Sequence, residues 1–213
     1  MRVVGIDVGA RRLHAVALDA RAAVVGVGVF DAVELDELVA WTGGARQVAI
    51  DSPDRGSTAP HRAEEGLAPK FRTARCAEIT LGRHHGIWVP WTTPVEPAPG
   101  WIRVGIELFA ALRAEGHEPV EVYPHAAFRV LAGGRRLPPK HTRAGAGARV
   151  ELLERAGLSG AWLKMWSHDA LDAGAAALVA LERAQGTARP VTCGHDGSAI
   201  WLPGTATTSV PPR

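Results

Sequence analysis

Arg2-Val-Val-Gly-Ile-Asp-Val-Gly9 is the stretch on which the reading of this chain turns. Its β-branched, apolar run has the pattern of a buried strand, and Asp7 closes that run where another hydrophobic residue would be expected. A second run, Gln47-Val-Ala-Ile-Asp-Ser-Pro53, closes in the same way on Asp51. A carboxylate at the end of a core strand is desolvated, and it repels a like neighbour unless a cation or a shared proton intervenes. The two aspartates therefore raise one question: whether the fold brings them together.

Working outward, Leu13-His-Ala-Val-Ala-Leu18 and Ala22–Phe30 read as two more strands. Turns at Gly9-Ala-Arg-Arg12 and Asp19-Ala-Arg21 make residues 2–30 an antiparallel meander. Glu34–Trp41 has helical spacing at Leu35, Leu38 and Val39. A connection through a helix favours placing the fourth strand, Gln47–Asp51, parallel to the first, which sets Asp7 and Asp51 at the same edge. Glu118–Pro124 reads as a short fifth strand. Helices are expected at Arg72–Gly82, Trp101–Glu115, His125–Leu131, about 144–156 and His168–Arg183, with Gly197–Pro203 a terminal strand or docking segment. Residues 52–70 and 86–99, rich in Pro and Gly, read as loops. The expectation is one α/β domain over residues 1–205 around a mixed sheet, followed by a flexible tail at 206–213.

The bulk properties narrow the classes. A chain of 213 residues with 46% hydrophobic content suits one domain with a proper core. No apolar run approaches the ~20 residues that span a bilayer. The first strand begins at once, without the regions of a signal peptide, so the cytoplasm is the expected location. Cys76 and Cys193 are the only cysteines, and their spacing speaks against both a structural zinc site and a disulfide framework. The net charge of +2 is mild, and the basic residues are nearly all arginine, whose fork suits phosphate. Charge alone does not establish nucleic-acid binding.

His168-Asp-Ala-Leu-Asp172 adds a third acidic feature. His168, Asp169 and Asp172 share one helical face, and Ala173-Gly-Ala-Ala-Ala177 lets that helix lie close against a sheet. Asp169, behind Ser167 as N-cap, also suits the helix dipole, whereas Asp172 on the packed face needs a partner. Glu121 alternates with apolar neighbours and reads equally as an outward-facing strand residue or a member of the site. His125 reads as a base or as a helix N-terminal residue. Several carboxylates on a mixed sheet point to a hard cation, Mg2+ or Mn2+ rather than zinc. Paired ions of that kind serve phosphodiester displacement.

These residues resemble the DUF429 family, regarded as predicted nucleases of the ribonuclease H-like superfamily. The pieces that carry the resemblance are Gly5-Ile-Asp7, Ala49-Ile-Asp-Ser-Pro53, Arg72–Glu78, Glu121-Val-Tyr-Pro124, Lys140 with Gly147 and Arg149, His168–Ala173 and Ile200-Trp-Leu-Pro203, in that order along the chain. The resemblance implies a ribonuclease H-like fold: a mixed five-stranded sheet of order 3-2-1-4-5, strand 2 antiparallel, with helices on both faces. It implies Asp7, Asp51 and either Asp172 or Asp169 of the final helix as metal ligands, Asp172 being the one preferred here, with Asp169 and Glu121, which matches a family strand motif, as further catalytic candidates. Arg72, Arg75, Lys140 and Arg149 are the basic residues expected to hold substrate. One departure concerns the catalytic glutamate that ribonuclease H carries after its third strand. Here Glu34 and Glu37 lie in that helix, and neither obviously faces the end of the first strand.

The expected function is a Mg2+- or Mn2+-dependent nuclease whose partner is DNA or RNA. An actin-like ATP-binding phosphotransferase shares the opening Asp-x-Gly hairpin, but no second such hairpin follows. A non-catalytic nucleic-acid scaffold is the third reading, with Trp88, Trp91 and Trp101 stacking on bases.

Overall fold

β1 (Arg2–Val8) is buried from Val3 onward, on both faces, as a central strand must be. The computed structural model describes residues 1–89, 93, 98–160 and 167–204. β2 (Arg12–Asp19) pairs antiparallel with β1, and β3 (Val24–Asp31) antiparallel with β2. The chain then passes through α1 (Leu35–Trp41) to β4 (Gln47–Asp51), which lies parallel to β1 on its other side. α2 (Cys76–His85) and α3 (Gly100–Ala114) precede β5 (Val120–Val122), parallel to β4. α4 (Pro124–Leu131), α5 (Arg143–Arg155) and α6 (His168–Ala184) follow, then β6 (Arg189–Val191) and β7 (Ile200–Leu202).

The sheet order is β3-β2-β1-β4-β5-β7-β6. Its first five strands run 3-2-1-4-5 with strand 2 antiparallel, the ribonuclease H-like arrangement that the resemblance implied. Among the described residues the sheet has seven strands rather than five. β7 adds parallel to β5, and β6 pairs antiparallel with β7. Arg189-Pro-Val191 is too short and too polar to show a period-2 pattern, so its sequence did not announce a strand. α2 starts four residues later than its periodicity suggested, because a 3-10 helix at Pro69–Phe71 and a turn at Arg72 and Thr73 precede it.

Strand alternation sorts the core onto two faces. Val3, Val16, Leu18, Ala49, Val120 and Val122 pack with α4, α5 and α6. Val4, Ile6, Leu13, Ala15, Val48 and Ile50 pack with α1 and α3. On the first face α6 runs unusually close to β1. A Cβ on Gly5 would lie 2.0 Å from the Ala177 amide nitrogen and 2.3 Å from the Ala173 carbonyl oxygen. Gly5 and the alanines of α6 are therefore one device: together they let the helix rest on the strand and carry its first turns to the end of β1.

One expectation is overturned. Cys76 and Cys193 form a disulfide across 117 residues of sequence. Spacing along the chain could not show it, because the pairing depends on α2 beginning beside the loop between β6 and β7. Among the described residues, no helix is long and apolar enough to cross a membrane. The tail at 206–213 and Trp91 lie outside the described residues.

Candidate metal centre

Asp7 and Asp51 are register partners in the parallel β1–β4 ladder. Asp7 keeps the facing of Val3, and Asp51 that of Ala49, so both side chains turn toward α6. α6 is capped by Ser167, whose Oγ accepts from the Ala170 amide at 3.2 Å. One turn on, Asp172 is 4% exposed and points back at the strand ends. Carboxylate oxygens of Asp7, Asp51 and Asp172 lie within 4.8 Å of one another.

A second group shares Asp7. One ligand atom from each of Asp7, His14 and Asp169 also falls within 4.8 Å of the others. His14 faces Asp7 across the β1–β2 hairpin, its Nδ1 3.8 Å from the Asp7 carboxylate. That nitrogen is buried and has no hydrogen-bond partner. Burial also lowers the pKa of His14, which favours the neutral imidazole that can act as a ligand.

The electrostatics are those of an over-charged acidic pocket. Burial, followed by the charges of Asp172 and Asp169, pushes the Asp7 carboxyl up to about 7. Burial and Asp7 raise Asp51 well above the usual carboxylate range. Asp172 is raised by burial, although Lys140 opposes the shift. The Lys140 ammonium donates to Asp172 at 2.7 Å and supplies positive charge to the cluster. Tyr123, beside Asp51 and Asp172, is pushed up to about 12, chiefly by burial. Oxygen donors around one carboxylate common to both groups, with an orphaned imidazole nitrogen, fit one or two hard divalent ions.

These groups line a cavity of about 920 Å3, whose wall also includes Arg11, Arg12, Trp101 and His125. Burial, Arg129 and Arg149 hold His125 below the ordinary imidazole value. The exposed Arg11 and Arg12 come from the β1–β2 turn and stand at the mouth.

The structure brings together Asp7, Asp51, Asp169, Asp172 and Lys140 from the residues singled out in the sequence. It leaves Glu121 out. Val120 and Val122 face α6, so Glu121 faces the other way, in register with Ile50. There both Glu121 oxygens accept from Arg75 at 2.6 Å, and the Asp54 amide donates to one of them at 3.1 Å. Arg75 is 1% exposed and also pairs with Glu78 at 3.1 Å. It has no surface on which to meet a substrate, so the expectation that it holds substrate is corrected. Arg149 lines the cavity but is 4% exposed, and it donates to the Pro138 and Gly145 carbonyls at 3.1 and 3.0 Å. Arg72 donates to the Leu67 and Glu65 carbonyls, away from the carboxylates. Glu34 and Glu37 are exposed and do not line the cavity. Trp88, 43% exposed, meets the Phe71 ring at a tilt of 44° with centroids 4.6 Å apart.

His14, Arg11 and Arg12 were missed. The signal was present: a tight turn at residues 9–12 sets Asp7 opposite His14 when the hairpin is counted out.

Fold and site together define a ribonuclease H-like α/β domain with an aspartate cluster at the C-terminal ends of β1 and β4. The model of a family described as "Protein of unknown function (DUF429)" matches residues 95–195, which bears out the resemblance read from the sequence. No curated protein matches the chain. Among solved structures, one similar chain is the RuvC protein of Thermus thermophilus in complex with a Holliday junction substrate. It is 15% identical with a TM-score of 0.47, and the match covers 95% of this chain and 100% of that one. A second Thermus thermophilus RuvC structure is 16% identical with a TM-score of 0.46, covering 88% and 98%.

Proposed function

We propose that this chain is a divalent-metal-dependent nuclease that hydrolyses phosphodiester bonds in DNA or RNA. The observation that carries the proposal is the pair of ligand groups sharing Asp7: Asp7, Asp51 and Asp172 on one side, Asp7, His14 and Asp169 on the other. Asp7 would bridge two ions, Mg2+ or Mn2+, with the remaining four residues completing the two sets. When bound, such ions stabilise the attacking and leaving oxygens of an in-line displacement.

The chain's own groups do the rest. β1, β2, β4 and α6 fix the ligands on rigid elements, as a reaction sensitive to fractions of an ångström requires. Arg11 and Arg12, which line the cavity, would meet the phosphate backbone. Lys140, which donates to Asp172, would pair with a phosphate once the carboxylates are otherwise neutralised. His125, whose pKa burial, Arg129 and Arg149 lower, would be a neutral proton acceptor in the cavity.

The test is cleavage of end-labelled single-stranded, duplex and branched DNA and RNA in Mn2+. The wild-type protein is expected to cut at least one of these, and cleavage is expected to vanish in Asp7→Asn and Asp172→Asn proteins that still melt cooperatively. Undiminished cleavage by Asp7→Asn would remove the carboxylate centre from the reaction.

A further inference from the structure

Three to four strand spacings from the aspartates, roughly 14–19 Å across the sheet, lies a cluster of different chemistry. Cys76, the first residue of α2, is fully buried and meets Cys193, in the loop after β6. Two histidines approach the Cys193 sulfur. The Nε2 atom of His61 is 4.0 Å from the Cys193 Sγ, and the Nδ1 atom of His195 is 3.6 Å from it. One ligand atom from each of His61, Cys76 and Cys193 lies within 4.8 Å of the others.

We propose that, when the two cysteines are reduced, Cys76, Cys193, His61 and His195 bind one zinc ion as a tetrahedral structural site. Two sulfurs and two imidazole nitrogens are the donor set zinc prefers, and they differ in kind from the oxygens of the aspartate centre. Bonds of about 2.3 Å to sulfur and about 2.0–2.1 Å to nitrogen set sulfur and nitrogen about 3.6 Å apart across a tetrahedral ion. The observed separations of 3.6 and 4.0 Å already have that size.

The orientation of His61 is the second, independent observation. Its Nδ1 meets the Glu64 carboxylate at 2.9 Å, which turns Nε2 to the sulfurs. Carboxylate–imidazole–metal is the usual outer support of a zinc-binding histidine, whereas a disulfide has no need of an oriented imidazole. Glu64 is in turn paired with Arg83 of α2.

The frame does not depend on the bond between the sulfurs. Asp196 accepts from the Cys76 amide at 2.9 Å and from the Ser198 amide at 2.9 Å. Ser198 Oγ accepts from the Ala77 amide at 3.0 Å, so the loop caps the first turn of α2 through its polar groups. Gly194, at φ 84°, makes the turn that returns His195 to Cys193. Reduction therefore leaves His61, Cys76 and Cys193 already gathered and the exposed His195 beside Cys193 to supply the fourth ligand, with the sulfurs free to part to the about 3.8 Å a shared tetrahedral ion requires.

The interconversion balances. A dithiol reductant gives two electrons and two protons to the Cys76–Cys193 bond and becomes a disulfide itself. The resulting thiols release their protons to solvent as zinc binds. Either state fastens the start of α2, next to Arg75 and Glu78, to the outer edge of the sheet.

The test compares reduced and oxidised wild-type protein, both stripped of metal and then titrated with Co2+ and Zn2+. The reduced protein is expected to show a thiolate-to-cobalt charge-transfer band in the near ultraviolet and strong four-coordinate visible bands, displaced by one equivalent of Zn2+. The oxidised protein should show neither. Asp7→Asn should keep the bands, which separates this site from the aspartate centre. Cys193→Ser should lose them, and Glu64→Gln should weaken zinc affinity about tenfold to a hundredfold. Absence of the thiolate band in the reduced wild-type protein overturns the proposal, whether or not the variants fold.

Discussion

Replacing Asp7 by Asn should make the metal-free protein more stable at pH 8 and leave it nearly unchanged at pH 4. In the folded protein the Asp7 carboxyl is pushed up to about 7 from an ordinary value of 3.8. Between those two values the folded state holds a proton that the unfolded state has lost. Wild-type stability therefore falls as pH rises from about 4, and the full penalty is present above about 7. At about 1.4 kcal/mol per pH unit, the gap sets a ceiling of roughly 4 kcal/mol. Asp51 and Asp172 share the same protons and Lys140 relaxes with them, so about 2 kcal/mol is the realistic figure. Asn carries no charge at either pH and can still donate to Asp51. For a domain of this size, the gain corresponds to roughly 4–8 °C in Tm. The assay is thermal unfolding in EDTA at pH 4 and pH 8, repeated with Mn2+. Mn2+ should raise the Tm of the wild type at pH 8 and leave Asp7→Asn unmoved. An Asn variant less stable than wild type at pH 8 would refute the reasoning, because it would mean that the carboxylate is not held against its own repulsion.

Three further outcomes follow from the packing and the charge distribution. Gly5→Ala places a Cβ 2.0 Å from the Ala177 amide nitrogen, so α6 must move. A loss of about 1–3 kcal/mol in urea unfolding, together with weaker Mn2+ binding by calorimetry, is expected. Glu121→Gln breaks the buried pair with Arg75 and should cost about 3–5 kcal/mol, with no change in the number of Mn2+ ions bound. A lost equivalent of metal would instead return Glu121 to the centre. Arg11→Ala with Arg12→Ala should weaken nucleic-acid binding and flatten its dependence on log salt by up to roughly 2, measured by fluorescence anisotropy. An unchanged salt slope would place the phosphate contacts elsewhere.

Much of this was written in short-range pattern. The apolar runs ending in Asp7 and Asp51, joined through one helix, led to parallel neighbours, and the ladder pairs those two residues directly. The small residues of α6 announced a close approach, and Gly5 is what receives it. What escaped was set by facing and by long-range pairing. Glu121 reads equally as an outward-facing residue or a member of the site; its neighbours Val120 and Val122 decide against the site once one knows which side of β5 α6 covers. Arg75 reads as a phosphate ligand in sequence; only the fold shows it enclosed between Glu121 and Glu78. The Cys76–Cys193 contact and β6 depend on where the last segments dock, and no local period records that.

The most direct measurement is anomalous diffraction from crystals of this protein grown or soaked in Mn2+. Two manganese peaks are expected, one among Asp7, Asp51 and Asp172 and the other among Asp7, His14 and Asp169, both lost in Asp7→Asn crystals. A map with no manganese at Asp7, at concentrations that saturate binding in solution, would contradict the central claim that this carboxylate is the bridge of a metal centre.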